Sequence, residues 1–244
     1  MISPVASAAG HKGCSYGVAF VYMGILQAIV YVDGLNLYYN LVKGTSYKWL
    51  DLDALCNTLL PQHSVVAIKY FTAIVKPRPH DAQAHVRQNI YIRALETIPK
   101  IEVIRGRFTD RRKPLPYDPW SYPYPNFMES PFLKVPVVKE EEKQSDVNLA
   151  THLLVDCFKN NFDIGVVISN DADLKLPLEM VVKEFGKKIG VVNPQRRNWK
   201  YVHKDLAKWA TLTIDKINTS VLKKCQFEPQ LTDSKGVFTK PQGW

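Results

Sequence analysis

Five short apolar runs, at residues 28–33, 65–74, 101–108, 164–169 and 188–192, alternate with stretches of helical spacing. This alternation constrains the fold more than any other feature of the chain. Strands that are continuously apolar must be covered on both faces. The covering segments are legible: residues 35–42 and 52–60 follow the first run, and 81–98 follows the second. Residues 145–159 precede the fourth run, and 176–185 separates the fourth from the fifth before stopping at Gly186. Strands alternating with helices predict an α/β protein, with a mostly parallel sheet of about five strands sandwiched between helices in three layers.

The rhythm breaks at three places. Residues 109–142 hold seven prolines, together with Arg111, Arg112, Lys113, Tyr117 and Trp120. Proline at this density argues against a regular helix or central strand, so a long loop is expected. Residues 1–26 precede the first strand. Residues 14–32 contain no charge, but the last five of them read as strand, and the ten or so left over are too few to span a membrane. Small residues precede the apolar run rather than follow it, unlike a secretory signal. Residues 1–26 are therefore expected to be an extension outside the fold, with Met23 an alternative start. Residues 216–244 read as one helix and a loose tail, leaving 27–215 as the main domain.

The chemistry-bearing residues cluster at strand ends. The first run ends in Asp33-Gly34-Leu35-Asn36, and the fourth in Ser169-Asn170-Asp171-Ala172-Asp173. In open parallel sheets ligands bind at the carboxyl ends of strands. A third acid, Asp146, opens the helix that leads into the fourth strand. Each acid alone is equally well read as a helix cap or dipole partner. One cap needs one acid, however, and Asp171, Asp173 and Asn170 together exceed that need. Four carboxylates brought together would repel unless a cation neutralised them, and an all-oxygen ligand set suits Mg²⁺ or Mn²⁺. His152 follows on the same helix but not on the face of Asp146. It reads as structural or substrate-contacting rather than as a ligand.

A formal net charge of +9 favours polyanionic partners, because Lys and Arg release counterions from phosphates. Acids cupping a metal within a basic protein are what phosphodiester hydrolysis requires. Four cysteines without CxxC or CxxH spacing support neither zinc nor a disulfide framework, and fit a reducing cytoplasm. No membrane partner is expected. Oligomeric state is open, a homodimer included.

Three blocks carry a family resemblance: Tyr31-Val32-Asp33-Gly34-Leu35-Asn36-Leu37-Tyr38, Lys143-Gln144-Ser145-Asp146-Val147-Asn148-Leu149-Ala150 and Ser169-Asn170-Asp171-Ala172-Asp173-Leu174. In order and spacing they resemble the signature blocks of NYN domains, PIN-like nucleases related to the FLAP-nuclease superfamily. The tail is similar to that of a bacterial branch. The resemblance covers roughly residues 28–215 and implies a PIN-like Rossmannoid fold and a metal-dependent ribonuclease, acting as an endonuclease on RNA. It implies metal-binding acids at Asp33, Asp146 and Asp171, with Asp173 and Asn36 in support and Ser169 and Asn170 shaping the turn. Many relatives carry an acid six residues after the middle aspartate, where this chain has His152. The cations Arg111, Arg112 and Lys113 are candidates for substrate contact.

Other functions fare less well. A non-catalytic module binding RNA or protein would not need all four acids. A haloacid-dehalogenase-type phosphatase needs a second aspartate two residues after its nucleophile, and Leu35 stands there after Asp33. A nucleotide-binding regulator finds neither GxGxxG nor GxxxxGK[ST].

Overall fold

A computed structural model of the chain describes residues 25–77, 81–116, 134–195 and 201–244. The strands are β1 (Leu26–Asp33), β2 (His63–Ala73), β3 (Ile101–Pro116), β4 (Lys134–Lys143), β5 (Ile164–Ile168), β6 (Lys188–Val192) and β7 (Leu212–Ile214). They lie in the order β4-β3-β2-β1-β5-β6-β7, and every neighbouring pair is parallel except β3 with β4. The helices are α1 (Gly34–Leu37), α2 (Leu52–Leu59), α3 (Ala84–Leu95), α4 (Ser145–Phe158), α5 (Lys175–Lys183), α6 (Lys204–Ala207) and α7 (Thr219–Lys224).

The three-layer expectation holds, and the pleat explains it. Successive strand side chains point to opposite faces. On β1, Ala28, Val30 and Val32 enter one core with Leu37 and Leu41, α2 and α3. Ile29 and Tyr31 enter the other, with Leu149 and Leu153 of α4 and Leu178 and Val181 of α5. Two strands exceed the expected five. β7 pairs with β6 as a short edge, and β4 comes from the proline-rich segment.

Two expectations are corrected. Proline density predicts an irregular loop over 109–142. Instead β3 and β4 form an antiparallel ribbon from Arg107↔Lys143 to Pro116↔Lys134. It tolerates its prolines because Pro114 faces Pro136 across the ladder, so the missing N–H groups coincide, and β4 is a sheet edge. Tyr117 and Trp120 lie outside the described residues, as do residues 1–24, Arg196 and Arg197.

The expected loose tail is also ordered. After α7, β8 (Gln230–Asp233) and β9 (Gly236–Thr239) form a hairpin. Leu222, Cys225, Phe227 and Phe238 are buried in the same core as α2 and α3. Trp49 Nε1 donates to the Glu228 carbonyl at 2.9 Å, and Arg93 grips Asp233 at 2.6 and 2.7 Å. Strands of four residues carry too little alternation to read without their partner. Among the described residues, no helix is long and apolar enough to cross a membrane.

Candidate functional site

From β1 the chain moves outward through β2 and β3 on one side. β5, β6 and β7 extend the sheet on the other. Strand order therefore reverses between β1 and β5, the crevice where open α/β sheets bind ligands. Asp33 is the last residue of β1, and the register Val32↔Ile168 sets it beside Ser169.

One serine joins the two acidic turns. The Ser169 hydroxyl donates to Asp33 Oδ2 at 2.9 Å and accepts from the Asp171 N–H at 3.2 Å. Asp33 Oδ1 meanwhile accepts from the Asn36 N–H at 2.9 Å, capping α1. Asp171 Oδ1 accepts from the Asp173 N–H at 3.0 Å, capping the single 3-10 turn Ala172–Leu174. The two carboxylates expected at the site are thus the ones that cap these turns. Asn170 faces away from the acids. Its Oδ1 accepts from the His203 N–H at 2.6 Å, holding the end of β5 against the start of α6.

The third acid arrives from β4 and α4. Gly106 of β3 lies under this junction, where a β-carbon would stand 2.7 Å from the Lys143 carbonyl and 2.9 Å from both Glu142 Oε1 and Ser145 Oγ. Only glycine allows this approach without a shift. Glu142 Oε1 accepts from the Ser145 N–H at 2.9 Å, serving as an extra cap at the start of α4, with Asp146 next along the helix.

Electrostatics shows that the acids share one field. Burial pushes the Asp33 carboxyl up, hydrogen bonds from Asn36 and Ser169 pull it back, and the charges of Asp171 and Glu142 add to the rise. Asp146 is pushed up to about 6, by burial first and then by Asp33, Asp171, Glu142 and Asp173. Glu142 is the member that sequence reasoning missed. Its signal was the acidic run Glu140-Glu141-Glu142 just before Asp146, hidden inside the supposed loop.

Two other groups of expected residues lie apart. His152 faces Lys69, with Nδ1 3.4 Å from Nζ, and packs edge-on against Phe71. Lys69 in turn pairs with the buried Asp156 at 2.6 Å, which also accepts from Tyr31 Oη at 2.8 Å. Burial opposes the Asp156 charge, but Lys69, Asn161 and Tyr31 hold its carboxyl below the usual range. This network braces α4 against β1 and β2. Arg112 and Lys113 sit on β3 five and six residues beyond Arg107, roughly 15–20 Å along the ribbon from its base at ~3.3 Å per residue. Lys113 lies 3.6 Å from Glu141. Arg111 is on the same strand.

Carboxylate oxygens are donors of the kind that suits a hard divalent cation. Among the described residues, the ion pairs leave out Asp33, Asp146, Asp171 and Asp173. The Ser145 hydroxyl, buried beside Asp146, also has no partner there. As the side chains stand, however, no three His, Cys, Asp or Glu groups among the described residues are gathered closely enough to hold an ion. The expected shared coordination shell is thus an open cluster, with Asp33 and Asp171 turned toward their caps.

Comparison with known proteins gives the context. The chain is 31% identical over 239 residues to 6-hydroxy-3-succinoylpyridine 3-monooxygenase HspA of Pseudomonas putida, covering 90% of this chain and 75% of that one. A crystal structure of a Vibrio parahaemolyticus protein of unknown function is similar at 18% identity and a TM-score of 0.47, covering 78% of this chain and 92% of that one. The family model for the NYN domain matches residues 27–215, which span β1 to β7 and contain every acid of the cluster, and on that match the chain belongs to the PIN-like NYN domain family.

Proposed function

We propose that this protein is a divalent-cation-dependent ribonuclease. The observation that carries the reading is that Asp33, Asp171 and Asp173 follow strand ends at the sheet's switch point and that burial, with their charges, raises Asp146 to about 6. Membership in a nuclease-like family supports it, as does a net charge of +9, which favours a polyanionic substrate.

Asp33, Asp146 and Asp171 would hold Mg²⁺ or Mn²⁺, with Asp173 and Glu142 alongside. Such an ion supplies Lewis acidity toward a phosphate oxygen and acidifies water. The chain's own residues orient the carboxylates. Ser169 couples Asp33 to the Asp171 turn, and the Gly106 contact sets Glu142 and Ser145 at the entry to α4. Arg111, Arg112 and Lys113 would meet flanking phosphates along the ribbon rather than the scissile one.

The test is cleavage of single- and double-stranded RNA and DNA in Mg²⁺, Mn²⁺ or EDTA, with wild type and Asp171→Asn. RNA cleavage that requires the cation and falls to background in Asp171→Asn is expected. Undiminished cleavage in EDTA overturns the reading.

A second reading follows from the Pseudomonas relative's name, namely oxygenation of a hydroxylated pyridine bearing an acidic chain. Monooxygenation consumes O₂ and two reducing equivalents. Its test is O₂ uptake with 6-hydroxy-3-succinoylpyridine and reduced nicotinamide, with uncoupled uptake measured separately.

A further inference from the structure

Beside the acidic cluster lies a second, differently built space. A cavity of about 300 Å³ is enclosed by α1 and the π-helical turn Tyr38–Val42, the end of β2, α3 and Trp244. Its volume is at the lower end of small-molecule pockets. It suits a single small molecule rather than a stretch of polynucleotide.

The walls are aromatic. Tyr70 and Tyr91 meet edge to face at 6.2 Å, and Tyr91 and Trp244 lie 5.9 Å apart. The buried hydroxyl of Tyr91 is already used, donating to the Leu50 carbonyl at 2.8 Å, and burial pushes the Tyr70 hydroxyl well up. These rings therefore present neutral, apolar faces, which suit a planar ring by stacking and edge contact. Tyr38 also lines the cavity, and its hydroxyl has no hydrogen bond among the described residues.

Cations outnumber acids in the lining, where Lys43, Lys48, Lys76 and Arg87 stand with Asp81. The Lys48 ammonium donates to the Gly243 carbonyl at 3.1 Å and stands 5.8 Å over the Trp244 ring. Burial pushes Lys48 down, and Arg87 and Lys240 add to this, with Asp81 opposing. Arg87 is paired with Asp81 and Lys43 lies over the Tyr39 ring, whereas Lys48 is the lining cation set over the aromatic wall at Trp244.

We propose that this cavity binds a small planar aromatic anion, its ring among Tyr38, Tyr70, Tyr91 and Trp244 and its carboxylate or phosphate at Lys48. Two sources share that chemistry, a free aromatic acid and a single nucleotide unit. The site is tied to the acidic cluster through Gly34. A β-carbon there would stand 2.6 Å from the Tyr70 ring and 2.7 Å from the Phe71 carbonyl, so the turn after Asp33 forms part of the cavity wall. The proposal requires neither cleavage of RNA nor a bound metal.

The experiment titrates nicotinate, benzoate and uridine 5′-monophosphate into the full chain in EDTA, followed by Trp fluorescence and calorimetry. Nicotinamide serves as the uncharged control. Saturable one-to-one binding of at least one anionic probe is expected, about tenfold or more tighter than nicotinamide, since a charge-assisted hydrogen bond distinguishes them. Lys48→Gln should weaken the anion by a similar factor and leave nicotinamide unchanged. Tyr38→Phe, which preserves shape, should weaken it less. Tighter nicotinate or benzoate identifies a free acid as the source, and tighter uridine monophosphate a nucleotide. Asp171→Asn should bind as wild type does, which separates this site from the nuclease reading. Absence of saturation by all three anions at millimolar concentration, or equal affinity in Lys48→Gln, overturns the proposal.

Discussion

Replacing Asp146 by asparagine should stabilise the metal-free protein above neutral pH while abolishing the function of the site. The Asp146 carboxyl is raised from 3.8 to about 6 in the folded chain. Below about pH 4 it is protonated in both folded and unfolded chains, and the raised value costs nothing. Between about pH 4 and 6 the unfolded chain releases its proton while the folded chain keeps it, so stability falls as pH rises. Above about 6 the whole cost stands. Two pKa units correspond to about 3 kcal/mol. Asp146 is only half-buried, so solvent screening reduces this to about 1.5 kcal/mol. Asparagine also loses a favourable charge in the first turn of α4, about 0.5 kcal/mol. The net gain is about 1 kcal/mol, or a Tm rise of about 2–4 °C for a chain of this size. The assay is thermal unfolding of wild type and Asp146→Asn in EDTA at pH 8 and pH 4. The gain should be present at pH 8 and absent at pH 4. Mn²⁺ should raise the wild-type Tm at pH 8 and do less for the variant, since an ion bound only by the folded state stabilises it. An unchanged or lower Tm for the variant at pH 8, or the same gain at both pH values, would refute the account of an Asp146 charge opposed by burial and by its acidic neighbours.

Further predictions test the parts that position the site. Gly106→Ala should cost about 1–3 kcal/mol in urea unfolding, because its β-carbon meets the Lys143 carbonyl at 2.7 Å; an unaltered midpoint means that the approach is looser than described. Lys69→Met should cost about 3 kcal/mol or more by leaving Asp156 buried and uncompensated, and adding Asp156→Leu should recover much of the loss. Deleting residues 216–244 removes Leu222, Phe227 and Phe238 from the core, at about 1.5–3 kcal/mol each. That sum rivals the stability of a whole domain, so no cooperative melt is expected by circular dichroism. Replacing Arg111, Arg112 and Lys113 together by alanine should reduce the salt slope of single-stranded RNA binding by about 2, near 0.7 for each phosphate no longer neutralised. An unchanged slope makes the ribbon purely structural.

Layer order, strand positions and the placing of Asp33, Asp171 and Asp173 at strand ends were legible in the sequence because each is a local property. An apolar run of strand length followed by Asp-Gly or Asn-Asp reports its own pleat and its own turn, whatever lies elsewhere. The same locality explains what was not legible. Proline counts over 109–142 describe single residues, whereas the ribbon depends on Pro114 facing Pro136 across a ladder. Glu142 joins the acids because Gly106, 36 positions earlier, lets β4 and α4 come close. The hairpin at the C-terminal end is held by Trp49 and Arg93, both far away in the chain. The sequence alone determined a parallel α/β sheet with acids at its strand ends. Only the tertiary structure decided that Glu142 acts on Asp33 and that both, with Asp171, act on Asp146, and that an aromatic cavity lined also by Lys48 and Arg87 stands beside them. Register and long-range packing set those distances, and neither is written in any single segment.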